Sequence, residues 1–310
     1  MAKVAVIKPD HLGDMILASP AIRAILAHYD DVTIFASPWA LSLAKTLFPA
    51  ASVRPLELFH LAKNPSRLPL KPIDLAKILS EFDMSVFLRA DGFLSETQEL
   101  MTSPYINCPE DSKRHESEKH YEASAKLVGA YDILDYFPYR RAKRAWPDRA
   151  DRIGLCVSAG FATNKLPNTF WVDLGRILMK RGRKIRVIGG PAETNDVNYI
   201  SGSLGEPCEQ LIGGADFNSF WQNLETVDVV VGSDSGSLHL CSLAAPIMGL
   251  YTSSAWWNYA PLGSWNRVYS LNLPCAPCVQ FSKSHVNACV TRECSSIDPL
   301  IVANKLAPVS

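Results

Sequence analysis

Short apolar runs recur along this chain, each closed by a loop carrying glycine, proline or a charged residue and followed by a helical pattern. Val4-Ala5-Val6-Ile7, Val32 to Ala36, Val53 to Leu56 and Met84 to Leu88 are the runs of the first half. Arg152 to Ser158, Lys184 to Ile188, Cys208 to Ile212 and Val227 to Val231 are their counterparts in the second. Apolar runs of this length suit parallel strands covered on both faces. Helical spacing lies between them. It starts near Met15 with Ile16, Leu17, Ala21, Ile22, Ile25 and Leu26. It returns over Ala40 to Phe48, Ile73 to Glu81, Tyr121 to Gly129, Thr169 to Arg181 and Phe217 to Leu224. Repeated strand, helix, strand order predicts an α/β chain of parallel sheets with crossover helices. From Asp91 to His120 the pattern weakens, which predicts a long variable loop, and Pro65, Pro69 and Pro72 break the chain before Ile73.

At 310 residues the chain is large for one core, so two domains are expected. Phe137 to Arg152 is rich in Pro, Arg and Lys without periodicity and reads as the linker. The predicted division is residues 1–145 and 146–310. A hydrophobic share of 47% with 20% charged residues excludes a disordered chain. Lys+Arg and Asp+Glu balance at 31 each, which argues against a general nucleic-acid binder. The local basic run Arg140-Arg141-Ala142-Lys143-Arg144 is either solvated or turned toward an anionic acceptor. The apolar run at the N-terminus is too short for a secretory signal. No window approaches the ~18 unbroken apolar residues of a membrane span. A cytoplasmic protein is expected, with contact at the inner face of the membrane left open.

Open α/β sheets bind ligands at the C-terminal ends of their strands. The first strand ends in Lys8-Pro9-Asp10-His11-Leu12-Gly13-Asp14, where Gly13 eases the turn. Asp14 is either a helix N-cap or a carboxylate placed to take a proton. In the second half, successive strand ends carry Gly160 with Lys165, Gly190 with Glu193, Gly213 with Gly214, and Asp234-Ser235-Gly236-Ser237-Leu238-His239. A glycine turn that opens a helix aims N–H groups and a positive dipole end at its ligand, and a diphosphate suits that place. Read alone, Asp234 could equally cap the helix. Four glycine-bearing strand ends on one sheet edge favour the diphosphate.

Taken together these residues resemble glycosyltransferase family 9, the ADP-heptose heptosyltransferases of bacterial surface polysaccharide assembly. The resemblance rests on four features: Leu12-Gly13-Asp14 after the first strand, Gly189-Gly190-Pro191-x-Glu193, Asp234-Ser235-Gly236-x-x-His239 with Pro246 and Leu250-Tyr251, and Cys275-x-Pro277-Cys278 followed by Cys294. It implies a GT-B fold, with two Rossmann-like domains facing across a cleft, the first holding the acceptor and the second the nucleotide sugar. It also implies inverting transfer that needs no metal cofactor. Asp14 would be the general base, while Ser235, Gly236, His239 and Lys165 would stabilise the leaving diphosphate. Glu193 would bind ribose, and Gly213 and Gly214 would let adenine meet main chain. The family pattern Lys-x-Trp-Pro is shortened here to Lys165-Leu166-Pro167, which makes Thr163 and Asn164 further candidates beside the phosphates. The implied partners are ADP-heptose and a glycan or glycolipid acceptor such as lipopolysaccharide core. A transferase using another nucleotide sugar or a protein acceptor, or a non-catalytic assembly protein that binds the nucleotide sugar, remains compatible.

Cys275, Cys278, Cys289 and Cys294, with His285 among them, have spacing that could hold a structural zinc or iron. Such cysteines recur in the family, in some members around an iron with an assembly role. The alternative is four partly buried thiols. Trp256-Trp257-Asn258-Tyr259 are either core or a cleft wall against the sugar.

Overall fold

Val4, Ala5, Val6 and Ile7 are fully buried, because their strand runs between two others in a parallel sheet. The computed structural model describes residues 2–58, 70–141, 145–214, 216–278, 289 and 291–306. Pro65 and Pro69, Lys143 and Arg144 of the basic run, and His285 lie outside the described residues. The chain divides into two compact units, Met1–Pro138 and Tyr139–Ser310.

The first unit contains β1 (Lys3–Lys8), α1 (Leu12–Leu26), β2 (Asp31–Ala36), α2 (Leu41–Leu47), β3 (Ser52–Pro55), α3 (Pro72–Leu79), β4 (Met84–Phe87), α4 (Gly92–Glu99), β5 (Tyr105–Asn107) and α5 (Glu116–Val128). Its strands are all parallel, in the order β3-β2-β1-β4-β5. Strand order reverses between β1 and β4, so the loops after these two strands flank a crevice at the C-terminal edge. Helices α1 and α5 pack against each other.

The stretch from Asp91 to His120 is therefore not one loop. The Asp91 carboxylate caps α4 by accepting the Leu94 N–H at 3.0 Å. His115 caps α5 by accepting the Ser117 N–H at 3.2 Å. Helix α4 buries only Leu94, Thr97 and Gln98, too few apolar positions for a visible period. Strand β5 is a three-residue edge piece.

The second unit contains β6 (Arg152–Cys156), α6 (Asn168–Lys180), β7 (Lys184–Gly189), α7 (Thr194–Leu204), β8 (Cys208–Ile212), α8 (Phe217–Leu224), β9 (Val229–Ser233), α9 (Gly236–Ser242), β10 (Ile247–Leu250), α10 (Trp256–Tyr259), β11 (Arg267–Tyr269) and α11 (Pro299–Leu306). Its parallel strands run β11-β10-β9-β6-β7-β8. Here order reverses between β6 and β9. At that point the strands approach so closely that Gly232 has no room for a side chain. A Cβ there would stand 2.8 Å from the Cys156 Cβ and 2.9 Å from the Cys156 carbonyl oxygen. Trp171 and Trp221 are fully buried, and Trp221 donates its Nε1–H to the Leu240 carbonyl at 2.9 Å.

Arg140 and Arg141, placed with the N-terminal domain on sequence grounds, pack on the second unit. The Arg140 N–H donates to the Leu243 carbonyl at 2.7 Å, and its guanidinium lies 4.1 Å from the Trp221 ring centroid. Among the described residues no helix is long and apolar enough to cross a membrane.

Candidate functional site

The second unit gathers its strand ends into one hydrogen-bonded edge. Strand β9 emerges at Ser233 into Asp234, whose carbonyl accepts the Gly160 N–H at 2.9 Å. Ser235, not Asp234, caps α9: its Oγ accepts the Leu238 N–H at 3.2 Å. The first-turn N–H groups of Gly236 and Ser237 have no acceptor within the helix. They form the open positive end expected of an anion site. His239 follows one turn on, with its side chain buried.

Asp234 is instead tied inward. Its Oδ2 accepts from Asn164 Nδ2 at 3.2 Å, and burial raises its pKa against the opposing hydrogen bond from Ser254. Asn164, fully buried, sits at the centre of this edge. Its amide also reaches Ser254 Oγ at 3.3 Å. Its carbonyl oxygen accepts from the Ser253 N–H at 3.3 Å, from Thr252 Oγ1 at 3.3 Å and from the Ser253 hydroxyl. One side chain thereby joins the ends of β6, β9 and β10. The polar run Thr252-Ser253-Ser254 at a strand end is the sequence signal for this knot.

The remaining predicted donor residues divide into those this edge assembles and those it does not. Glu193 is assembled: its Oε2 accepts from the Gly190 N–H at 2.9 Å and from Ser158 Oγ at 3.1 Å. The Gly213 N–H donates to the Gly189 carbonyl at 2.8 Å, and Gly214 borders open space where a side chain would stand. Thr163 is buried, and its hydroxyl accepts from Ser253 Oγ at 2.9 Å, so it belongs to the supporting knot. Lys165 points elsewhere. Its ammonium pairs with Asp196 on α7 at 2.7 Å, and hydrogen bonds from Lys165 and Asn168 hold the Asp196 carboxyl below its usual range. Trp256 and Trp257 are 38% and 39% exposed, so neither is core.

The first unit builds a different chemistry at the reversal between β1 and β4. Asp14 lies in the first turn of α1, with Gly13 buried before it. Among the described residues no side chain donates a hydrogen bond to its carboxylate. Around it stands a buried ionic cluster. Lys8 Nζ lies 3.0 Å from Asp10 Oδ2, donates to the Leu88 carbonyl at 3.0 Å and meets His120 Nε2 at 3.2 Å. Arg89 donates to the other Asp10 oxygen and, through Nε, to Asp91 at 2.5 Å. His120 also lies 3.7 Å from Glu116. Of these residues sequence reasoning singled out Asp14 and Gly13 only. Charged Lys8 and Asp10 closing an apolar strand, and Arg89-Ala90-Asp91 closing another, were the available signals.

This environment pushes two neighbouring carboxyls in opposite directions. Burial raises Asp14 to about 6, helped by repulsion from Asp10 and Glu116 and opposed by Lys8 and Arg89. Burial also works against Asp10, but Lys8 and Arg89 overcome it and hold its carboxyl below the usual value. Lys8 stays charged because Asp10, Asp14 and Glu116 outweigh its burial. Burial and the adjacent Lys8 keep His120 neutral. Two carboxylates with divergent affinities for a proton are the signature of divided acid–base roles. Asp14 is the one able to accept a proton near neutrality.

The C-terminal thiols sense one another. Burial, then Cys289 and Cys275, raise the pKa of Cys278, and Cys294 responds to burial and to all three others. Among the described residues, however, no three His, Cys, Asp or Glu side chains stand together at ligating distance. The Cys278 N–H donates to the Ser253 carbonyl at 2.9 Å, which fastens the start of this segment to the β10 end of the Asn164 knot.

Comparison with known proteins agrees with this architecture. An E. coli ADP-heptose LPS heptosyltransferase II structure superposes with a TM-score of 0.66 at 17% identity, over 98% of this chain and 97% of that one. The E. coli heptosyltransferase WaaC with ADP gives 0.64 at 16% identity, over 86% and 92%. The dodecameric iron-containing heptosyltransferase TibC, solved with ADP-D-beta-D-heptose, gives 0.59 at 13% identity, over 98% and 76%. At these identities the likeness speaks for the GT-B fold. No curated protein sequence matches the chain significantly. The model of glycosyltransferase family 9 (heptosyltransferase) matches residues 103–288, more than half of the sequence and all of the second unit's strand-end edge described above. The chain belongs to glycosyltransferase family 9.

Proposed function

We propose that the chain transfers heptose from ADP-heptose to a hydroxyl of a saccharide acceptor, with inversion at the anomeric carbon. The observation that carries this reading is the match of residues 103–288 to glycosyltransferase family 9 (heptosyltransferase), and the Asp14 carboxyl suits the part of its base. A carboxyl poised near pH 6 is ionised at neutrality yet basic enough to take a hydroxyl proton. The acceptor oxygen bonds to C1 of the sugar as its proton passes to Asp14. The bond from C1 to the diphosphate breaks, and its electron pair leaves with ADP. The N–H groups opening α9, with Ser235 and His239 beside them, offset the charge that develops on the leaving group. Glu193 holds the ribose hydroxyls, and Gly213 and Gly214 leave main chain open to adenine. Lys165 joins the phosphates by releasing Asp196. The first unit thus supplies the base and the acceptor site, and the second holds the donor. The acceptor is a glycan or glycolipid of the lipopolysaccharide-core type, met at the cytoplasmic face of the membrane.

A nucleotide comparison by thermal unfolding tests the donor. ADP at a hundredfold excess over its Kd is expected to add about 2.7 kcal/mol, visible as a rise in melting temperature, with smaller rises for UDP and GDP. A larger rise with UDP would overturn the heptose assignment.

No metal is required for transfer in this reading. We propose a structural role for zinc or iron at Cys275, Cys278, Cys289 and Cys294, supported by their spacing in the sequence. Metal analysis of purified protein is expected to find about one ion per chain, lost in a Cys275→Ser/Cys278→Ser variant. Metal-free wild-type protein would leave four thiols and no site.

A further inference from the structure

The second unit has a cavity at the edge of its sheet opposite the Asn164 knot. Asp228 directly precedes β9, Pro246 directly precedes β10, and Glu225 ends α8 as its C-cap. With Arg140, Arg141, Ala145 and Pro147 they line a space of about 410 Å³. The five residues of β9 separate the two edges by about 16 Å, so this place lies apart from the proposed donor site. We propose that the cavity binds a phosphate group carried on a short organic stem, with Arg140 and Arg141 donating to the phosphate and Pro147 and Pro246 against the stem.

Exposed arginines ordinarily keep their rotamer freedom. These two are held, and neutral groups hold them. The Arg140 N–H is tied to the Leu243 carbonyl at 2.7 Å. Its guanidinium donates to Asn218 Oδ1 at 3.0 Å and stacks 4.1 Å from the Trp221 ring centroid. Arg141 donates to the Glu225 main-chain carbonyl at 3.1 Å. Among the described residues neither guanidinium forms a salt bridge, and each has N–H donors left over. Burial lowers the pKa of Arg140, and the Glu225 carboxylate offsets this only in part. The other acid of the cavity is already matched, because Asp228 Oδ2 accepts the Asp151 and Arg152 N–H groups, each at 2.8 Å. Two fixed planar cations with unspent donors suit the oxygens of a phosphate. The volume is that of a small-ligand site rather than of a bare ion. Ala145, Pro147 and Pro246 give it an apolar wall for carbon.

Glycerol 3-phosphate and inorganic phosphate are titrated into the intact chain while nitrogen-15 NMR follows the Nε–H signals of Arg140 and Arg141. Glycerol 3-phosphate is expected to move both signals and to bind roughly tenfold more tightly than inorganic phosphate, since its stem covers apolar wall. In Arg141→Gln the Arg140 signal should report binding about tenfold weaker. In Glu225→Gln, with the opposing carboxylate gone, it should report binding about twofold tighter. Co-sedimentation with phosphatidylglycerol but not phosphatidylcholine vesicles, lost in Arg140→Gln/Arg141→Gln, places the phosphate on a lipid. Binding of glycerol 3-phosphate without co-sedimentation places it on a soluble ester. Signals that neither anion moves, or unchanged affinity in folded Arg141→Gln, overturn the site, and equal binding of inorganic phosphate overturns the stem. If Arg141→Gln does not fold, Glu225→Gln decides: tighter supports, unchanged or weaker overturns. These readouts need neither ADP nor transfer, so they stand or fall separately from the proposed activity.

Discussion

Asp14→Asn is expected to slow transfer by orders of magnitude while making the protein more stable. Loss of a positioned general base lowers the rate by roughly 10²- to 10⁴-fold, and the affinity for ADP, which the proposed function places on the second unit alone, is expected to stay unchanged. The stability effect has a defined sign. The Asp14 carboxyl has a folded pKa of about 6 against an ordinary 3.8. Between these values the folded chain holds a proton that the unfolded chain has released. The wild-type protein therefore loses stability as pH rises through this window and stays at the lower level above it. Asn carries no such penalty. The variant should gain at most about 3 kcal/mol at pH 8, and the gain should vanish below about pH 4. Denaturant unfolding at pH 4 and pH 8, beside a transfer assay, checks both halves. Equal stability of the two proteins at pH 8 would mean that Asp14 is not desolvated as described.

The second large effect is expected at Asn164. Replacing it by Ala takes one hydrogen bond from the Asp234 carboxylate, which keeps Ser254, and leaves the Ser253 N–H and the hydroxyls around it without their shared partner. Unsatisfied buried polar groups cost about 1–3 kcal/mol each. Part of that cost is relieved by water entering the space, so a total loss near 3 kcal/mol is expected. Because the same side chain joins three strand ends, ADP should also stabilise Asn164→Ala less than it stabilises wild type. Denaturant midpoints with and without ADP measure both. A variant with unchanged stability would show that the knot is redundant.

These two residues also mark how far the sequence could be read. The central strands were legible because they are buried on both faces, and Val229, Val230 and Val231 announce themselves as a continuous apolar run. Asp14 was legible for a similar reason, as a charged residue just past such a run and a glycine. Its neighbours were not. Lys8 and Leu88 are 80 residues apart in the chain and adjacent only through the pairing of β1 with β4. Asn164 and Ser253 are separated by 89 residues. Local pattern identifies strand ends, but which ends become neighbours depends on strand order, and the order reverses beside both groups of candidate residues. Helix α4 escaped for a different reason, since its stability comes from the Asp91 cap and a few packed side chains.

The ion pair between Lys165 and Asp196 has a bearing on selectivity. An ammonium already matched to a carboxylate at 2.7 Å offers a passing anion no unclaimed charge. Any anion that recruits Lys165 must displace Asp196, so the gain is the difference between two partners. Orthophosphate, with few other contacts to offer, profits little from that exchange. A nucleoside diphosphate that also engages the glycine edge and Glu193 can drive it. The resting salt bridge would thus work as a threshold, holding Lys165 in reserve until a ligand long enough to span the whole edge arrives.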